Sequence, residues 1–267
     1  MRQFHKTKPF YGQLANNPAH NFALRHTSRI FESNSTFTWI PKNACSTMRF
    51  SIAKANGCIE SLEDVNWIHA NNHSFNATTE TAACSGYTFV ILRCPYTRLY
   101  SAFMDKMVNF DIQAWAFRDA CNRSFNVHDL TFKRFIHEIG AKPVQSLDIH
   151  WRRQTDFLLF ANYDDYFCLE NFAKATKIIG KKARVTITDT RQKLGHDVAR
   201  DAVISGDPAP YNKSALELLL QKRNGVIPAP KDMFDAEMVG IVKTLYADDL
   251  DLYTEKFKAS NLMQKFA

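Results

Sequence analysis

Two short apolar runs constrain this chain more than any other feature. "FTWI" (37–40) and "YTFVILR" (87–93) are aromatic and β-branched almost throughout, as strands buried on both faces are. Each is stopped by a proline, Pro41 or Pro95, with a basic residue, Lys42 or Arg93, at the break. Each then passes into helical spacing: residues 46–56, ending near Gly57, and residues 96–109, where Leu99, Phe103 and Met107 share a face. A strand buried on both faces needs cover on both. The expectation is an α/β fold, a short parallel sheet flanked by helices on both faces.

The rest of the chain fits that plan. Residues 163–180 read as a short strand followed by a helix that Gly180 ends, and 183–188 as an edge strand. Helices are expected over 129–139, capped by Asp129 or Thr131, and over 213–223 and 233–257. Residues 60–85 read as loop with one short helix, and residues 1–34 as an irregular N-terminal segment broken by Pro9, Gly12 and Pro18. The 267 residues hold no repeat and no Gly/Ser/Pro linker, so one domain over 1–267 is expected.

Composition excludes several classes. No run of about 18 apolar residues exists, so stable membrane insertion is not expected. The six cysteines form no Cys-x-x-Cys pair, so no zinc or other metal site is expected, and reduced thiols suggest a cytoplasmic protein. The net charge of +7 suits an anionic ligand. No basic stripe interleaved with aromatics appears, so nucleic acid is not expected as a partner. Nothing here bears on oligomeric state.

The chemistry lies at the two breaks. If a strand ends at Ile40 and a helix starts near Ser46, the first N–H groups of that helix lack partners and its dipole favours an anion. Small side chains at Ala44, Cys45, Ser46 and Thr47 let the backbone approach, two hydroxyls add donors, and Lys42 adds charge. The same residues also describe an ordinary strand–turn–helix with an exposed lysine. The loop is no Walker loop, since it lacks glycine and Gly-Lys-Ser/Thr. At the second break, Arg93 stands at the carboxyl end of a strand, where open α/β sheets bind ligands, with Arg98 and Ser101 on the following helix. Alone, Arg93 reads better as a salt-bridge partner and Ser101 as a helix-packing residue.

Together the stretches resemble a known family. Pro41-Lys42-Asn43-Ala44-Cys45-Ser46 resembles the 5′-phosphosulfate loop of the Golgi carbohydrate sulfotransferases of the chondroitin and HNK-1 type, with Ser46 where they have Thr and Arg49 where they have Lys. Arg93-Cys94-Pro95-Tyr96-Thr97-Arg98-Leu99-Tyr100-Ser101-Ala102-Phe103 resembles their 3′-phosphate motif, with Cys94 in place of Asp and altered packing expected there. "DIHW" (148–151), "FCLENF" (167–172), "YNKSA" (211–215) and "LYADDLDLY" (245–253) resemble later elements in the same order. The family's Cys-x-x-Cys region is missing, which points to a soluble bacterial member.

The resemblance implies a P-loop-like sulfotransferase fold and the donor 3′-phosphoadenosine 5′-phosphosulfate (PAPS), with adenosine 3′,5′-bisphosphate as product and no metal. Lys42, Asn43, Ala44, Cys45, Ser46, Thr47, Arg93, Ser101, Lys213 and Ser214 are the implied cofactor contacts. The implied acceptor is a carbohydrate or glycolipid. Transfer needs a base, and His73 is the candidate, in a segment similar to one of the uronyl 2-O-sulfotransferases. His69, His150, Arg152 and Arg153 are candidate acceptor contacts, with His150 the rival base. Two other classes stay open: a kinase-like phosphoryl transferase, which would want Gly-Lys-Ser/Thr, and a non-catalytic binder of anionic glycans.

Overall fold

The computed structural model describes residues 1–7, 12–71, 73–140, 142–191, 193–194, 202–258 and 261–263. In chain order the elements are α1 (Pro18–Arg25), β1 (Thr27–Ile30), β2 (Ser35–Thr38), α2 (Cys45–Ala55), α3 (Trp67–Ala70), α4 (Thr79–Ala83), β3 (Tyr87–Leu92), α5 (Pro95–Ala102), α6 (Ile112–Ala120), α7 (Phe132–Ile139), α8 (Lys142–Gln145), β4 (Asp165–Cys168), α9 (Phe172–Ala183), β5 (Ala202–Ile204), α10 (Ala215–Arg223), β6 (Val226–Pro228), α11 (Ala236–Leu245) and α12 (Ala247–Lys256). They gather into two compact units, each made of two stretches: Met1–Arg93 with Gln154–His196, and Cys94–Arg153 with Asp197–Ala267.

The first unit holds a four-stranded sheet in the order β1-β2-β3-β4. β2, β3 and β4 run parallel, with Phe37 opposite Phe89 and Phe89 opposite Asp165. β1 runs antiparallel to β2, Thr27 pairing with Thr38. Every residue of β2 and β3 is buried, so both faces of the central strands are covered. Phe37 and Phe89 stack with centroids 5.0 Å apart, tying the two central strands through their side chains.

The second unit is mainly helical. α7 buries Phe132, Phe135, Ile136 and Ile139, the i, i+3, i+4, i+7 stripe of an amphipathic helix. Its rings meet Phe103 and Trp151, with Phe103–Phe132 centroids 5.1 Å apart and Phe135–Trp151 5.8 Å. β5 and β6 form a separate parallel pair.

Several expectations need correction. The sheet is mixed rather than all parallel, because β1 returns through a tight turn that only an antiparallel neighbour permits. The N-terminal stretch is not irregular: it carries α1 and β1. Pro18 starts α1 rather than breaking the chain, since it occupies the first turn and Asn17 caps the helix by accepting from His20 N–H. α9 runs through Gly180 to Ala183 and ends at Arg184 in the left-handed region, φ 55°. Residues 184–190 then form no strand. The helix expected over 233–257 is two, α11 and α12, parted at Tyr246. Among the described residues no helix is long and apolar enough to cross a membrane.

Candidate active site

The break after β2 is a turn over 41–44 that leads directly into α2. Without glycine, it still takes glycine-like conformations: Lys42 has φ 69° and Ala44 φ 57°. Each non-glycine residue held there costs about 1–2 kcal/mol. Such strain persists only where surrounding contacts over-determine it, as at ligand-binding loops. Alternating backbone handedness also turns successive N–H groups toward a common concavity that favours anions. α1, α4, α6, α7, α10 and α11 each have a side-chain cap, from Asn17, Thr78, Asp111, Thr131, Ser214 and Asp235. α3, α5, α9 and α12 have no side-chain cap, and neither has α2, whose N-cap is Ala44. Its first N–H groups are therefore left to solvent or a ligand.

The loop's side chains divide by role. Lys42, Ala44, Cys45 and Ser46 are half-buried, facing outward in part. Asn43 is fully buried, and its Nδ2 donates to the carbonyl of Ile91 at 2.9 Å and to Gln154 Oε1 at 2.6 Å. Its Oδ1 is buried with no hydrogen-bond partner among the described residues. Thr47 is buried too, and its hydroxyl lies 3.2 Å from that of Thr190. Arg49 is 7% exposed, donates to the carbonyl of Ile68, and stacks 5.0 Å from the centroid of Trp39. Burial pushes its guanidinium below its ordinary pKa, with Cys45 acting the other way.

Arg93 follows β3 directly. Its N–H donates to Gln154 Oε1 at 3.0 Å, its carbonyl accepts from Gln154 Nε2 at 2.9 Å, and its Nη1 donates to the Lys42 carbonyl at 3.0 Å. The structure thus brings the arginine of the second motif onto the loop of the first. Gln154 and Thr190, which take part in this arrangement, carry no signal in the sequence: a lone glutamine or threonine outside any motif reads as filler.

His73 and His69 precede β3 in the same unit, and both are exposed. His73 lies in a turn closed by Asn76 N–H on its carbonyl, and its Nδ1 faces the Asn76 amide nitrogen at 3.0 Å. Asn76 forms a bridge to Ser28 on the outer edge of β1. A whole strand, β1, therefore intervenes between this segment and β2. The residue before His69, Ile68, is the one that touches α2 through Arg49.

In the second unit, α5 opens at Cys94, which is buried and supplies no side-chain cap. An Asp there would be a cap acceptor. Arg98 is 1% exposed and donates to the carbonyls of Arg152 (2.6 Å) and Ile149 (3.1 Å). Trp151 is fully buried, its Nε1 on the Val144 carbonyl at 2.9 Å and its own carbonyl taken by the Tyr246 hydroxyl. On the turn so fastened, His150 Nδ1 meets Asp148 Oδ1 at 2.6 Å. Arg153 pairs with Asp248 at 3.1 Å. Ser101 is half-buried on α5. Lys213 pairs with Asp207. Ser214 is the N-cap of α10, its hydroxyl accepting from Glu217 N–H at 3.2 Å. Among the described residues no cluster of three or more His, Cys, Asp or Glu could hold a metal ion.

The profile of the sulfotransferase family matches residues 32–254, a span that includes both breaks, Gln154 and the His150 turn. No curated protein and no solved structure matches the chain significantly.

Proposed function

The chain belongs to the sulfotransferase family, and on that premise we propose that it moves a sulfuryl group from PAPS to a hydroxyl of a carbohydrate acceptor, without a metal. The observation that carries the donor assignment is the uncapped α2 behind a loop whose Lys42 and Ala44 hold left-handed conformations. That arrangement fits a phosphosulfate and lacks the Gly-Lys-Ser/Thr of magnesium-nucleotide loops. The carbohydrate acceptor rests on the motif resemblance.

When bound, PAPS supplies the sulfuryl group and leaves as adenosine 3′,5′-bisphosphate. Lys42 and the α2 N–H groups offset charge building on the leaving phosphate oxygen. Arg93 binds the 3′-phosphate. A histidine takes the acceptor's hydroxyl proton as the oxygen bonds to sulfur. We assign that role to His150 rather than His73. A carboxylate can only accept, so Asp148 fixes the proton on His150 Nδ1 and leaves the Nε2 lone pair for the acceptor.

Labelled-sulfate transfer against a glycan panel, with and without EDTA, tests the reaction. Calorimetry with adenosine 3′,5′-bisphosphate tests the donor site. Arg93→Ala should weaken that binding by about 1.5–3 kcal/mol, the worth of a charged hydrogen bond. Wild-type affinity in the variant would remove the 3′-phosphate assignment, and transfer that EDTA abolishes and magnesium restores would favour a kinase-like enzyme.

A further inference from the structure

The carboxyl end of β3 outruns β2, and the chain runs on past the end of β4. Pairing with β2 stops at Val90, and pairing with β4 stops at Leu92. Beyond those points two buried carboxamides stand in for the missing strands. Asn43 Nδ2 takes the Ile91 carbonyl at 2.9 Å. Gln154 takes both backbone groups of Arg93, the N–H at 3.0 Å and the carbonyl at 2.9 Å. That is the donor and acceptor pair a neighbouring strand residue would present. The amides also bond each other, Asn43 Nδ2 to Gln154 Oε1 at 2.6 Å. Asn43 is 0% and Gln154 1% exposed, so water does not compete for these bonds.

We propose that Gln154 is a positioning residue for the sulfuryl-donor site, holding the Arg93 backbone and the 42–44 loop in one fixed register. The proposal rests on the donor reading above. Three observations converge on it. The chain leaves the first unit after Arg93 and returns to it at Gln154, so the Gln154 amide fastens the exit to the re-entry. The loop it grips through Asn43 carries the two left-handed residues, Lys42 and Ala44, which would relax to ordinary conformations if released. The Asn43 carbonyl oxygen is left buried without a partner, so the amide is oriented by its two donated bonds at the expense of its own acceptor. A network optimised for stability alone would not leave that oxygen unmet. Gln154 touches neither phosphate in this account. It sets where Arg93 and the loop N–H groups stand before a ligand arrives.

The test is calorimetry with adenosine 3′,5′-bisphosphate on wild type, Gln154→Leu, Gln154→Glu, Arg93→Ala and the Arg93→Ala/Gln154→Leu double variant, with steady-state rates beside it. Gln154→Leu should weaken binding roughly 10- to 100-fold and lower kcat, with acceptor KM unmoved, since misplacing a group by about 1 Å can cost about 10²-fold. In the Arg93→Ala background the same substitution should cost much less, because the two act through one link. Gln154→Glu keeps the bonds accepted from Asn43 and from Arg93 N–H and loses the one donated to the Arg93 carbonyl, so it should recover part of the affinity. A folded Gln154→Leu with wild-type affinity overturns the proposal, as does an equal loss in both backgrounds. If Gln154→Leu does not fold, Gln154→Glu decides, and wild-type affinity there overturns it. Failure of the wild type itself to bind the bisphosphate overturns the donor reading, and this proposal with it.

Discussion

Two turns of this protein each present a histidine, and they hold it in opposite ways. Around His73 the backbone makes a loose turn at the sheet's edge, the ring is exposed, and the partner is a carboxamide. Around His150 three of the four residues 149–152 have their carbonyls captured, Ile149 and Arg152 by buried Arg98 and Trp151 by Tyr246, and the partner is a carboxylate. With the Asn76 amide nitrogen on His73 Nδ1, the neutral ring carries its proton on Nε2. That ring donates outward, where a base must accept. Position in motif order singles out His73, whereas the partner atom singles out His150. The lesson is that a base is identified by what fixes its tautomer.

The largest expected effect breaks this comparison directly. His150→Ala should lower kcat by roughly 10²–10⁴, the usual worth of a general base, while binding adenosine 3′,5′-bisphosphate normally. His73→Ala should stay near wild type. The reverse outcome in steady-state assays would return the role to His73 and show that motif order outweighs geometry.

Next in size is the fastening of the His150 turn. Arg98→Ala removes two charge-assisted bonds from a buried site and leaves two carbonyls without donors, so stability should drop by about 3 kcal/mol in chemical denaturation. Amide exchange over 148–153 should then approach the rate over 73–76. Unchanged protection would mean that Trp151 packing alone orders the turn.

How much of this was legible follows from where each signal lives. β2 and β3 were readable because strands buried on both faces leave continuous apolar runs, and the breaks after them were readable because proline and a cation interrupt those runs. α1 was hidden because Pro18 looks the same as a breaker or as a first-turn residue, and only the Asn17 cap decides. The left-handed Lys42 and Ala44 were hidden because glycine normally announces such conformations. Gln154 was hidden because its role depends on where the pairing of β3 with each neighbour stops, a property of strand register with no residue signature.

A smaller effect sharpens the contrast between the partners. Asp148→Asn keeps an acceptor for His150 Nδ1–H but loses the charge and lets the amide turn over. A loss in kcat smaller than that of His150→Ala is expected, with acceptor KM little changed, because a wrong tautomer removes competent enzyme rather than binding. Asp148→Ala should be worse than Asp148→Asn. Equal and small effects from both would reduce Asp148 to a structural cap of its turn.

The smallest effect separates the fold's own titration from that of a base. His20 lies in α1, 1% exposed, with Nδ1 unpartnered among the described residues and Nε2 only 3.4 Å from the Thr79 hydroxyl. Burial lowers its pKa from the ordinary histidine value. Above the unfolded pKa of about 6.5 the ring is neutral in both states, and its stability contribution is fully present. As pH falls below that value the unfolded chain takes up a proton that the folded chain refuses, so stability declines, by at most about 1.4 kcal/mol per pH unit for one proton. The melting temperature should therefore fall from pH 7 to pH 5, and more shallowly in His20→Leu. An acid limb in kcat that survives His20→Leu unchanged belongs to the reaction. A limb that shifts with the melting temperature in that variant belongs to the fold and says nothing of either turn.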